Sequence, residues 1–222
     1  MRLGVISDVH GNLPALNAVE TAMPPVDRVV CAGDSVGYNP WPAACLDRIR
    51  ELDALTVQGN HDRAVAVDGG RYFNPMAKAG VEYARKQLDD EQLTWLESLP
   101  TERVIADGRV HIVHGHPDDP DRYTYPRSFS PAMLGEGVDL LVLGQTHIQA
   151  IKAFESGVVL NPGSVGQPRD GEPTAAFAVV DLDEAGVDVE LHRVEYDIDR
   201  VIAAVDEAGL PKQIGTRLRS GS

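Results

Sequence analysis

Arg2-Leu3-Gly4-Val5-Ile6-Ser7-Asp8-Val9-His10-Gly11-Asn12 is a short apolar run that stops in a polar loop carrying an acid and an imidazole. The design recurs twice downstream. Asp27–Ala32 is a second apolar run, closed by Gly33-Asp34, and Ala54–Gln58 is a third, closed by Gly59-Asn60-His61-Asp62. Between them Leu13, Leu16, Val19 and Met23 fall at helical spacing, and a second helix is predicted from Pro42 to Leu52. The order is βαβαβ, which implies parallel strands with helices packed outside them.

The chain continues with two predicted helices across 74–98, parted near Leu88–Asp90, and then with hairpins. Val104–Ala106 and Arg109–Val113 flank Asp107-Gly108, a favoured hairpin turn. The strand Asp139–Leu143 stops at Gly144-Gln145-Thr146-His147. Ile148–Phe154 pairs with Val158–Leu160, and Ala175–Asp181 with Val187–Val194. A last helix, Ile198–Ala208, sets Ile198, Val201, Ile202 and Val205 on one face, with Gly209 and Pro211 after its end. A parallel half followed by hairpins uses all these elements if two mixed sheets face each other with helices on the outer surfaces. The expected fold is therefore α/β (α+β), a four-layer α/β/β/α sandwich. No repeat or Gly/Ser linker divides the chain, so residues 1–222 read as a single domain.

Composition limits the function classes. Hydrophobic residues make up 43% of the 222, enough for a sizeable core. No apolar run reaches the length of a membrane span, and Met1–Ser7 lacks the pattern of a signal peptide, so a cytoplasmic location is expected. Cys31 and Cys45 lack metal-ligand spacing and read as small buried hydrophobes. A net charge of −14 disfavours nucleic acid as a partner, because phosphate binding needs basic surface. The 21 Asp against 13 Glu, and 16 Arg against 4 Lys, suggest an acidic surface adapted to salt. Nothing in the sequence decides the oligomeric state.

Polar residues gather where strands end: Asp8-Val9-His10, Gly33-Asp34, Asn60-His61-Asp62, His114-Gly115-His116 and His147. In open α/β sheets, ligands bind beyond the carboxyl ends of strands. Asp8 and His10, one residue apart, are expected to point to the same side of the chain and grip one ion. Mixed carboxylate and imidazole ligation suits Mn²⁺, Fe or Zn²⁺ better than Ca²⁺. Each cluster alone has a plain structural reading; Gly-Asn-His-Asp, for example, can simply start a helix. Five clusters on one edge are what point to a metal site. His111 and His192 lie inside strands and read as structural.

The set Asp8-x-His10, Gly33-Asp34, Gly59-Asn60-His61-Asp62, His114-Gly115 and Gly144-x-Thr146-His147 resembles the calcineurin-like metallophosphoesterase superfamily. The stretch Asn161–Arg169 resembles its small prokaryotic phosphodiesterase-like branch. The resemblance implies two divalent metal ions, among which manganese, iron, zinc and nickel are not distinguished. It implies that Asp8, His10 and His147 hold the first, Asn60 and His114 the second, and that Asp34 bridges them. It further implies hydrolysis of a small phosphoester by a metal-activated hydroxide, with His61 assisting the leaving group. One retromer subunit of the same fold lacks that His and serves as a scaffold, which keeps a low-activity metal-binding scaffold or interaction protein as the alternative.

Two departures narrow the expectation. The superfamily pattern has Gly-His-x-His where this chain has Gly144-Gln145-Thr146-His147. Gln145 offers a neutral amide oxygen, a poorer donor to transition metals than imidazole, so the second site is expected to be weaker. His116 is a candidate to compensate, or else to stand behind the ligands or contact phosphate. The Asp-Arg pair that follows the bridging Asp in the superfamily's protein phosphatases is replaced by Ser35-Val36, which favours a small phosphodiester or nucleotide over a phosphoprotein. Asn12 is a candidate phosphate contact or the cap of the first helix. Arg169 is a candidate phosphate contact or the partner of Asp170 or Glu172. Tyr38, Asn39 and Trp41 are candidate pocket residues. The cap-like stretch 68–100 shows no specificity motif.

Overall fold

The computed structural model describes residues 1–67, 69 and 73–222; part of the cap-like stretch, residues 68 and 70–72, lies outside them. The first sheet is ordered β10-β9-β1-β2-β3, from Gly186–Val194, Ala175–Asp183, Arg2–Ile6, Arg28–Cys31 and Leu55–Thr56. In it β1, β2 and β3 run parallel, and β9 is antiparallel to both β1 and β10. The second sheet is ordered β4-β5-β6-β8-β7, from Glu102–Ile105, Val110–Val113, Leu140–Val142, Gly157–Asn161 and Ala150–Phe154. Its middle strands β5, β6 and β8 are parallel, with an antiparallel partner at each edge.

The expected sandwich of two mixed sheets is the one observed, and side-chain alternation explains it. Leu3, Val5, Val30 and Ala178 from one sheet meet Ile112, Leu140, Val142 and Leu160 from the other in one buried cluster. Their sequence neighbours point the opposite way. Ile6, Cys31 and Val179 pack outward against Leu16 and Val19 of α1 (Leu13–Ala22) and Cys45 and Ile49 of α2 (Pro42–Glu51). Both cysteines are buried, as the sequence suggested. Leu141, Leu143 and Val159 face out of the second sheet and are covered by Phe129 and Met133, which belong to short 3-10 turns rather than to long helices.

Two features depart from the expected elements. Gly59-Asn60-His61-Asp62 opens a short helix, α3 (Asn60–Ala66), so Asn60 and His61 sit in its first turn. The helices α4 (Pro75–Gln87) and α5 (Asp90–Ser98) fall where predicted, each N-capped by an Asn or Asp side chain. After α6 (Ile198–Glu207) the chain forms a further short helix, α7 (Lys212–Thr216), whose Ile214 packs with Val201, Val205 and Tyr38. Among the described residues no helix is long and apolar enough to cross a membrane.

Candidate metal centre

The carboxyl ends of β1, β2, β3, β5 and β6 lie along one edge of the sandwich, and each delivers one polar cluster. Asp8 and His10 leave β1, Asp34 leaves β2, Asn60 and His61 follow β3, His114 follows β5, and Gln145 and His147 follow β6. The loops are pinned to one another by backbone hydrogen bonds: Asp8 N to Gly33 O at 2.9 Å, His10 N to Asp34 O at 2.9 Å, and Gly144 N to His114 O at 2.8 Å.

Side-chain convergence here does not follow from strand alternation. Asp8, His10, Asp34, Gln145 and His147 all have positive φ, between 48° and 64°. Left-handed backbone is uncommon outside glycine and gathers at functional sites, where surrounding structure enforces it. The pair Asp8 and His10 does share one target, but through two left-handed residues past the end of β1 rather than through the pleat. Gly59 shows how tightly the loops close: a Cβ there would stand 2.1 Å from Asp34 Oδ1 and 2.4 Å from Asp34 N.

Among the described residues, three sets of ligand-type atoms lie within 4.8 Å of one another: Asp8, His10 and His147; Asp8, Asp34 and His114; and His10, Asp34 and His61. The contacts are close. His147 Nε2 stands 3.2 Å from Asp8 Oδ1, and His114 Nε2 stands 3.3 Å from Asp34 Oδ2. His10 Nε2 is 3.6 Å from Asp34 Oδ2 and 3.7 Å from Asp8 Oδ1. Each imidazole is oriented from behind by a carbonyl: His10 Nδ1 on Val36 O at 3.1 Å, His114 Nδ1 on Ala32 O at 2.7 Å, and His147 Nδ1 on Gln167 O at 2.6 Å. Donating through Nδ1 leaves Nε2 as a lone pair aimed inward, the arrangement of a metal-binding His.

These residues fit a cation. In neutral rings oriented this way, His10 Nε2 and His147 Nε2 face each other at 3.1 Å as two acceptors. Asp8 Oδ1 and His114 Nε2 are buried with no hydrogen-bond partner, as is Gln145 Oε1. Buried acceptors without donors are costly, and cations held by the sets Asp8/His10/His147 and Asp8/Asp34/His114 would satisfy those on Asp8 and the imidazoles. The protonation balance is consistent. Burial drives the His10 and His147 pKa values down, keeping both rings neutral. Burial, the largest single influence, opposes charge on His114, but the charge and hydrogen bond of Asp34, with Asp8 and the Ala32 carbonyl, together prevail and raise the pKa to about 10. The Asp34 carboxyl is held well below its usual range: burial opposes this, and the neighbouring His114 and His61 prevail. A proton on His114 thus offsets charge that a cation could offset instead.

His61 is 5% exposed, and burial, the largest influence, lowers its pKa to about 4. Its ring is packed between Tyr38 and Phe73, with centroids at 4.8 and 4.6 Å. Its backbone N–H donates to Asp34 Oδ1 at 2.8 Å. Asn60 lines a cavity beside His61 and Gln145. Gln145 donates through Nε2 to Asp121 O at 3.0 Å. His116 stands apart from all three sets; it lies in a turn and accepts from Asp118 N at 3.1 Å. Asn12 is committed to structure: Oδ1 caps α1 at Ala15 N and Nδ2 donates to Gly166 O.

Arg169 does not pair with Asp170 or Glu172. Asp170 is taken by Arg193, and Arg169 instead reaches Gln167 Oε1 at 2.7 Å and the Tyr38 hydroxyl at 3.2 Å. Asn39 is buried and holds His10 O, while Trp41 packs against the α6–α7 cluster, so of these three only Tyr38 lines the cavity. His111 pairs with Glu102 and His192 stacks on Phe177, both away from the centre.

The sequence marks Asn161–Ser164 as a tight loop near the metals and Asp62 as part of a strand-end cluster, but not how they brace the centre. Ser164 Oγ donates to Asp8 O, and Asn161 Nδ2 to Gly144 O. Asp62 accepts from Gly59 N and Val36 N, tying the loops of β2 and β3 together. Burial of polar residues is the property that marks them, and a sequence carries no direct trace of it.

The calcineurin-like phosphoesterase superfamily domain matches residues 1–185. The chain belongs to the calcineurin-like phosphoesterase superfamily. A metallophosphoesterase from Sphaerobacter thermophilus of known structure is 36% identical, covers 100% of both chains and superposes with a TM-score of 0.81. An uncharacterised protein of Methanocaldococcus jannaschii is 34% identical over 99% of this chain and 98% of its own length. Phosphodiesterase YfcE of Escherichia coli is 26% identical over 84% of this chain and 91% of its own. This metallophosphoesterase is thus a metal-dependent phosphoester hydrolase, and its buried Asp and His groups are able to bind metal.

Proposed function

We propose that this metallophosphoesterase hydrolyses a small phosphodiester or nucleotide, using two divalent ions held by Asp8, His10, Asp34, Asn60, His114 and His147. The supporting observation is the convergence of buried acceptors that lack donors: Asp8 Oδ1, His114 Nε2 and the opposed Nε2 atoms of His10 and His147. Bound there, the ions would supply Lewis acidity toward a phosphoryl oxygen and lower the pKa of a water they hold.

The chain's own residues carry the other roles. Asp34 orients two partners at once, fixing the start of α3 through Oδ1 and facing His10 and His114 through Oδ2. His61 stands at the boundary between the Asp/His cluster and the cavity. An anionic phosphoryl group beside that ring favours its protonated form. The imidazolium can then give its proton to the departing oxygen. Among the described residues Arg169 has no carboxylate partner, and its guanidinium is available to a phosphate oxygen as a paired donor. The absence of an Asp-Arg pair after Asp34 supports a small substrate over a phosphoprotein.

The test is turnover of bis(4-nitrophenyl) phosphate by protein stripped of metal and reloaded with Mn²⁺, Fe²⁺, Zn²⁺ or Ni²⁺ in turn. Metal-dependent release of 4-nitrophenol is expected. Failure with every metal, for this diester and for nucleotide substrates, would overturn the reading.

A further inference from the structure

The cavity next to the metal centre has a volume of ≈ 480 Å³, within the usual range of small-molecule pockets. Its lining is chemically mixed. Asn60, His61 and Gln145 give it polar walls beside the Asp/His cluster, and Phe73, Tyr123 and Val67 add apolar ones. Phe73 comes from the segment before α4 and Tyr123 from the segment between β5 and β6, so two distant stretches supply aromatic rings to one space.

Tyr123 is 49% exposed, an unfavourable place for a large ring unless something covers it. It stacks on Tyr125, with centroids 6.2 Å apart and planes at 25°, and Arg127 stands over Tyr125 at 5.7 Å. The tyrosine is therefore backed on one side. The charged groups of the lining, Arg63 of α3 and Asp121, are paired with each other.

We propose that this cavity is the leaving-group pocket and that it selects phosphodiesters whose leaving alcohol carries a flat aromatic ring, the class that includes nucleosides. The ring would lie against Tyr123 and Phe73. The inference rests on the phosphodiester reading above. The side of the scissile bond follows from His61, which lines the cavity: the group that fills this space is the one whose oxygen meets that imidazole. In the reaction the P–O bond to the ring-bearing alcohol breaks and the oxygen of water bonds to phosphorus. One proton of that water is released to solvent or buffer, and the departing alkoxide takes a proton from His61.

The experiment compares thymidine 5′-methyl phosphate with the same ester lacking the base, whose leaving alcohols are matched except for the ring. With metal-loaded wild type, kcat/KM for the base-bearing ester should be about tenfold higher, a typical effect of one base–aromatic stack. In Tyr123→Ala that ratio should fall toward one, and in Tyr123→Phe it should persist. Equal kcat/KM values in the wild type, or a ratio that survives Tyr123→Ala, overturn the proposal. If neither ester is cleaved, the phosphodiester reading fails separately, and the pocket is judged by calorimetric binding of thymidine to the metal-free protein. Binding weakened about tenfold by Tyr123→Ala supports an aromatic pocket; no detectable binding to the wild type refutes it.

Discussion

The space between the sheets and the edge where the strands end are equally buried and built on opposite terms. Leu3, Val5 and Ile112 are 0% exposed, and so are Asp8, His10 and His114. In the first group burial removes apolar surface from water and needs no further partner. In the second it strips water from carboxylates and imidazoles, on left-handed backbone, and leaves acceptors facing one another. The core stabilises the protein whether or not metal is present. The centre costs stability until a cation arrives, so the two regions should answer differently to the same perturbations.

The largest expected effect separates chemistry from binding at the edge itself. His61→Ala should lower turnover by about 10²–10⁴-fold, the usual contribution of a general acid. Metal content measured by elemental analysis should not change. Because His61 also falls within reach of His10 and Asp34, a parallel loss of metal would reassign it as a ligand.

Stability measured with and without metal contrasts the regions directly. Ile112→Ala should cost about 2–5 kcal/mol in urea unfolding, as for other large-to-small core changes, and keep the full rise in Tm on adding Mn²⁺. Asp34→Ala should abolish most of that rise, because an ion that binds only the folded state stabilises by mass action. If both variants keep the rise, Asp34 does not hold metal. A smaller effect tests the bracing. Gly59→Ala places a methyl group against Asp34 and should weaken metal affinity by about 10–100-fold in equilibrium dialysis, the usual range for residues that orient ligands.

Two modest effects complete the contrast. Gln145→His should tighten the weaker ion by replacing an amide oxygen with imidazole; unchanged affinity and stoichiometry would mean that position 145 does not face that ion. Added KCl should raise the unfolding midpoint of the acidic chain, through screening of surface carboxylates. A flat response across the salt series would remove the argument for salt adaptation.

Much of this was legible in residue order. The helical spacing of Leu13, Leu16, Val19 and Met23 marks an apolar face, and Leu16 and Val19 are buried on it, while the unbroken apolar run Leu140–Leu143 fits a strand covered on both faces. The strand-end clusters containing Asp8, Asp34, His61, His114 and His147 were readable because short strands put polar residues only where the pairing stops. Less legible were features that depend on distant partners. The segment 122–135 carries no helical period, yet it covers the outer face of the second sheet through Phe129 and Met133. Arg169 has an acid beside it in sequence, yet Asp170 goes to Arg193 and leaves Arg169 to Tyr38 and Gln167.

By itself the sequence determined the alternation of strands and helices, the sandwich of two sheets, and the set of acids and imidazoles that could meet a metal. Those are properties of local pattern, written in the spacing of side chains along one strand or helix. Only the tertiary structure decided which atoms of those residues face inward, that Asn12 is spent on a helix cap, that His116 stands aside, and that Phe73 and Tyr123 share a cavity with His61. The reason is physical: orientation at a buried site is set by carbonyls and rings contributed from other parts of the chain, and sequence proximity carries no information about which of them arrive.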